Sequence, residues 1–148
     1  MSSGWNNEHA GEFAASDAFE LLRENPNAQL VDVRTRAEWT FVGVPDLSSL
    51  YKEVVLVEWQ KYPTMDVDPD FTEIVERQLF RLGVATGDPV LFLCRSGVRS
   101  LSAAKAMAAT GWRDCRNIIG GFEGPLDEKR HRGERDGWKV CGLPWLQT

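Results

Sequence analysis

The sequence predicts an α/β fold, a mainly parallel β-sheet flanked by helices on both faces. Two observations carry this. Apolar runs of strand length alternate along the chain with stretches of helical period. The strongest run, "DPVLFLC" at 88–94, is apolar without interruption after its turn residues, as a strand covered on both faces must be. With 148 residues, 43% apolar and 26% charged, the chain buries a core without disulfide staples, so one domain is expected.

The elements follow in order. "SDAFELLRENPNA" (16–28) predicts a short helix capped by Ser16, with Asp17 at its positive end and Phe19 and Leu22 on one stripe, stopped by Pro26 and Asn27. "AQLVDVR" (28–34) predicts a strand with Asp32 and Arg34 at its carboxyl end. "TRAEWTFVGVPDLSSL" (35–50) reads as a helical turn and a loop broken by Pro45, and "EVVLVEW" (53–59) as a second β-rich run. Asp70 and Glu73 have capping-box spacing. They precede a helix carrying Phe71, Ile74, Val75, Leu79 and Leu82, which Gly83 closes in a left-handed cap. "SLSAAKAMAATG" (100–111) is an alanine-rich helix ended by Gly111, and "CRNIIGG" (115–121) a last short strand. "DEKRHRGERDG" (127–137) reads as a solvated loop, and "WKVCGLPW" (138–145) as a segment that packs back on the domain.

Composition narrows the function classes. A formal net charge of −5 argues against nucleic acid or an anionic membrane as the main partner. No apolar stretch approaches the roughly 20 residues that span a bilayer. The polar opening "MSSGWNNEHAGEF" lacks the features of a signal peptide, so a cytoplasmic location is the default expectation. Three widely spaced cysteines, Cys94, Cys115 and Cys141, predict neither a disulfide framework nor, with His9 and His131, a metal site.

The informative stretch is "CRSGVRS" at 94–100. Ligands of open α/β sheets sit beyond the carboxyl ends of the strands, where Cys94 is placed with a helix starting just after it. Backbone N–H groups of the loop should form a cup at the positive end of that helix, with Gly97 allowing the tight curl. Arg95 and Arg99 add positive charge, and Ser96 and Ser100 add hydroxyl donors. Such surroundings favour thiolate and can bring a cysteine pKa into the range ~3.5–7.5. Cys94 is therefore read as a nucleophile rather than as packing, whereas Cys115 and Cys141 lack such neighbours and are read as inert. The loop from Cys94 to Arg99 has room to encircle one sulfur atom carried on Cys94 as a persulfide. A cysteine phosphatase needs a wider cradle with arginine six positions after its nucleophile, and Ser100 stands there.

These residues resemble the rhodanese family of sulfurtransferases, in particular its single-domain members. "DVR" at 32–34 with "EW" at 38–39 is similar to the family's first signature, "CRSGVRS" to its active-site loop, and "GGFEG" at 120–124 to the segment after its last strand. The resemblance covers about residues 13–145, so 13–145 is expected to be the domain and 1–12 a flexible segment. It implies a thiosulfate sulfurtransferase. Cys94 attacks the outer sulfur of a small anionic donor such as thiosulfate, releasing sulfite, and the persulfide passes its sulfur to cyanide or a thiol, with a protein thiol among the candidate acceptors. Backbone amides of Arg95, Ser96, Gly97, Val98 and Arg99 would stabilise the charged sulfur, the arginines would attract the donor, and no cofactor beyond the covalent persulfide is implied.

Asp32 and Ser100 are expected in supporting roles, Asp32 by holding nearby loops. Arg34 and Arg36 are read as surface charges. Two departures from the family stand out. Gly43, Val44, Pro45, Asp46 and Leu47 replace a Gly-His-Ile-Pro-Gly-Ala run, and Phe122 follows the paired glycines, where it is expected at the pocket rim. The rival readings are a catalytically silent module of the same family, a cysteine phosphatase or arsenate reductase, and a simple redox thiol, the last weakened by the absence of a Cys-x-x-Cys pair.

Overall fold

A computed structural model describes residues 11–147. Its centre is a five-stranded sheet in the order β1 (Gly11–Ala14), β8 (Cys115–Ile119), β7 (Val90–Leu93), β2 (Gln29–Asp32), β4 (Val55–Leu56). Every neighbouring pair in it is parallel. The expected α/β layout therefore holds. Two small antiparallel ribbons complete the strands: β3 (Val44–Pro45) with β9 (Trp145–Leu146), and β5 (Gln60–Lys61) with β6 (Asp66–Val67).

β7 is buried at all four positions because it lies between β8 and β2 with a covered face on each side. On one face, Phe71, Val75 and Leu79 of α3 (Phe71–Arg81) and Ala103, Ala104 and Met107 of α4 (Val98–Ala109) pack on Val31, Val90 and Phe92. The opposite face takes Ala15, Ala18 and Leu22 of α1 (Ala15–Glu24), together with Phe122 and Trp138, against Leu30, Leu91 and Leu93. Alternate residues of each strand thus feed opposite cores, as the pleat requires. Trp138 is fully buried and β9 pairs with β3, so the closing segment does pack back on the domain.

Several local expectations need correction. α1 begins at Ala15, directly out of β1, and Ala14 occupies its cap position without a side-chain bond, so Ser16 lies inside the first turn. Asp70 makes no capping bond either. Its backbone (φ −95°, ψ 5°) is not extended, and its amide is itself bound by the Asp68 carboxylate at 2.9 Å. The capping box belongs instead to α2 (Arg36–Phe41): Thr35 is extended (φ −82°, ψ 158°) and bonds the Glu38 amide, while Glu38 reaches back to the Thr35 amide. Gly83 does sit in the left-handed region, at φ 82°. Of the segment expected to be flexible, residues 1–10 lie outside the described residues, and Gly11 and Glu12 belong to β1.

Candidate active site

Cys94 ends the central strand, and Gly97, at φ 108°, turns the chain into α4. What shapes this turn comes from the opposite side. The carbonyl of Cys94 accepts from the Phe122 amide at 2.8 Å, and that of Arg95 from the amides of Glu123 (3.0 Å) and Gly124 (3.2 Å). The carbonyl of Gly97 accepts from Asn117 Nδ2 at 3.0 Å. With these carbonyls held on the outside of the curl, the loop's amides are left for the inside. Gly121 makes the clamp possible: a Cβ there would lie 2.5 Å from the Cys94 carbonyl oxygen and 2.6 Å from the Arg95 carbonyl.

Two donors meet the Cys94 sulfur: the Gly97 amide at 3.1 Å and the Ser100 hydroxyl at 3.2 Å. Ser100 Oγ also lies 2.5 Å from Asn117 Oδ1. A hydroxyl carries one hydrogen, so it serves either the sulfur or the amide oxygen at any moment. Because Asn117 Nδ2 is engaged by Gly97, its oxygen is fixed toward Ser100. Asn117 thereby positions the hydroxyl that faces the sulfur. Sequence reasoning missed it; its place on β8, the strand beside Cys94, is the signal that pairing would have supplied.

Only 1% of Cys94 is exposed, yet it lines the floor of a cleft of about 590 Å³. Thr35, Glu38, Gln60, Tyr62, Met65, Arg95, Ser96, Val98 and Arg99 form the walls. Gly97 and Ser100 are buried beneath them, and Asp32 is buried at the end of β2. Arg95 is exposed at the mouth. Arg99 is committed elsewhere: its guanidinium holds the Glu38 carboxylate in a fork, Nη1 to Oε1 at 2.7 Å and Nη2 to Oε2 at 2.9 Å. Burial disfavours the ionised Glu38, but the bonds and charge of Arg99, with the amide and hydroxyl of Thr35, outweigh it and hold this carboxyl at about 2. Burial likewise opposes the Arg99 charge, and the bonds and charge of Glu38, with lesser contributions from Cys94 and Asp32, still raise its pKa.

Arg34 is not a surface charge. Fully buried, it forms a paired contact with the equally buried Asp32, Nε to Oδ1 at 3.0 Å and Nη2 to Oδ2 at 2.7 Å. Nη2 also donates to the Gly43 carbonyl at 2.7 Å, and the guanidinium lies over the Phe122 ring, 4.2 Å from its centroid. Phe122 is accordingly a core residue that receives this cation, not a rim residue. Asp32 thus contacts Arg34, and the altered segment at 43–47 is what Arg34 and β9 bond to. Arg36 is exposed, as expected. Burial, with the charge of Asp114, pushes the Cys115 thiol up to about 12. Cys141 is an exposed free thiol.

A protein-family model described as the STR4 middle domain matches residues 10–148. An uncharacterized protein of Rickettsia conorii, RC0915, is 39% identical over 88% of this chain and 93% of its own length. The chloroplastic rhodanese-like domain-containing protein 4 of Arabidopsis thaliana is 27% identical over 93% of this chain and 26% of its own. Among solved structures, Rv0390 from M. tuberculosis superposes with a TM-score of 0.81 at 46% identity, over 95% of this chain and 99% of that one. The polysulfide-sulfur transferase homodimer of Wolinella succinogenes shares the fold with a TM-score of 0.56 at 24% identity, over 94% of this chain and 80% of that one.

Proposed function

The chain belongs to the STR4 middle-domain family and has a rhodanese-like fold, and from that premise we propose that it is a sulfurtransferase working through a persulfide on Cys94. The observation that carries the reading is the Cys94 sulfur at the floor of an open cleft, met by the Gly97 amide and the Ser100 hydroxyl in a loop whose carbonyls face away. A core cysteine needs no such donors. The polysulfide-sulfur transferase of the same fold is consistent with this chemistry.

In the proposed cycle the Cys94 thiolate attacks the outer sulfur of a sulfane donor. With thiosulfate, the new bond joins Sγ to that sulfur, the donor's S–S bond breaks, and sulfite leaves with its electron pair. Cyanide or a thiolate then attacks the outer sulfur of the persulfide, taking it as thiocyanate or as a new persulfide, and the Cys94 thiolate is restored. The added sulfur lies further into the cleft than Sγ, where amides at the start of α4 stabilise its charge, as donors do for an oxyanion. Asp32 takes no proton in this scheme; it holds Arg34, which holds the Gly43 segment.

The test is sulfur transfer from thiosulfate or polysulfide to cyanide. Intact-mass spectrometry should show a cyanide-removable gain of about 32 mass units on Cys94, as covalent carriage requires. Cys94→Ser should abolish both signals. Ser100→Ala should lower kcat/KM about tenfold, the worth of one hydrogen bond to an ionised group. Cysteine-independent turnover, or no sulfur uptake from any sulfane donor, would refute the proposal.

A further inference from the structure

The charges of the cleft say which donor it suits. Sequence alone offers two arginines for a dianion, but the fork between Arg99 and Glu38 cancels one of them. Arg95 remains, and the thiolate that the proposed cycle places at Cys94 balances it. Beside the polar Thr35, Gln60 and Ser96, the lining has an apolar part: Tyr62, 79% exposed, and Met65 in the turn between β5 and β6, with Val98, 74% exposed. A volume of about 590 Å³ also far exceeds a five-atom anion and falls within the range of organic ligand sites, ~300–1,000 Å³.

Resting on the sulfurtransferase reading, we propose that the donor is a hydropersulfide, R–S–SH, whose R group is apolar and uncharged, and that Glu38 sets this preference by occupying Arg99. The R group covers Tyr62, Met65 and Val98, and the terminal sulfur reaches Cys94. The Cys94 thiolate attacks that sulfur, and the donor's S–S bond breaks. The thiolate R–S⁻ leaves with the electron pair, and the proton stays on the transferred sulfur as Cys94–S–SH. Thiosulfate would bring two negative charges into a cleft with no net positive charge to receive them, and no group to cover the apolar wall.

The experiment compares loading of Cys94 from benzyl hydropersulfide and from thiosulfate, each rate divided by that donor's rate with free cysteine. The expected preference for the hydropersulfide is tenfold or more, by an order-of-magnitude reading of the charge balance. Glu38→Gln, which keeps a residue able to complete the capping box, frees Arg99. It should raise the thiosulfate-to-hydropersulfide ratio about tenfold, and added salt should shrink that rise. Tyr62→Ala, at an exposed position where folding is not at stake, should raise the same ratio by lowering loading from the hydropersulfide alone. Thiosulfate preferred by the unaltered protein, or a ratio unmoved in both folded variants, would overturn the assignment of the donor while leaving the sulfurtransferase reading intact. Failure of Cys94 to load from either donor or from polysulfide would overturn both.

Discussion

Asp32→Ala tests what the buried ion pair contributes. Both side chains are inaccessible to water, and the substitution removes three contacts to the Arg34 side chain, at 3.0, 3.2 and 2.7 Å, and one to its amide at 3.1 Å. The Gly43 carbonyl and the Phe122 face remain, but neither carries a formal negative charge to balance the guanidinium. Leaving one partner of a buried pair uncompensated costs about 3–5 kcal/mol. At roughly 3 °C per kcal/mol for a chain of this size, the melting temperature should fall by about 9–15 °C. Urea denaturation of the single variant and of Asp32→Leu with Arg34→Met measures this directly. The double variant should regain at least half of the loss, because it buries no unpaired charge. A loss below about 1 kcal/mol for Asp32→Ala, or a double variant no more stable than the single one, would refute the account.

Three more predictions concern the cleft. The folded-state pKa of Glu38, about 2 against an ordinary 4.5, makes its contribution to stability fully present above pH 4.5 and lost as pH falls toward 2. With side chains 17% and 19% exposed, Arg99 and Glu38 are partly screened, so the acid loss should be roughly 2 kcal/mol. It should be absent from Glu38→Gln in denaturation curves taken between pH 6 and 2. Gly121→Ala, at φ 60° with backbone atoms of Cys94 and Arg95 within 2.6 Å of the new Cβ, should cost at least about 3 kcal/mol and reduce sulfur loading in the folded fraction. Iodoacetamide at pH 8 should spare Cys115, whose thiol is pushed up to about 12 and does not line the cleft, while modifying the exposed Cys141 and, through the cleft, Cys94; early labelling of Cys115 in peptide maps would contradict its raised pKa.

The strand, tight turn and helix around Cys94 were legible because local sequence dictates them: an unbroken apolar run, a glycine free to take positive φ, then alanine-rich helix. What escaped depends on partners distant in sequence. Asp70 and Glu73 have the same spacing as Thr35 and Glu38, and only the backbone angles of the first residue decide which pair makes a box. Arg34 carries no local mark of burial; Asp32 two positions earlier is its one sequence clue, and Phe122 reaches it only through the fold. Arg99 reads as a free cation until α2 brings Glu38 across 61 positions. β9 was missed because two residues of ladder leave no periodic trace.

The ribbon of β3 and β9 has an implication for assembly of the cleft. Lys139 and Gln147 bind the carbonyls of Val42 and Phe41 across 97 and 106 positions, whereas the collar of the sulfur closes within 94–124. The bonds that hold the nucleophile's loop thus use no residue from Trp145 onward. Shortening the tail ahead of Trp145 would therefore spare the reactive thiol and loosen the wall opposite it, so the damage would show first in which donors are accepted.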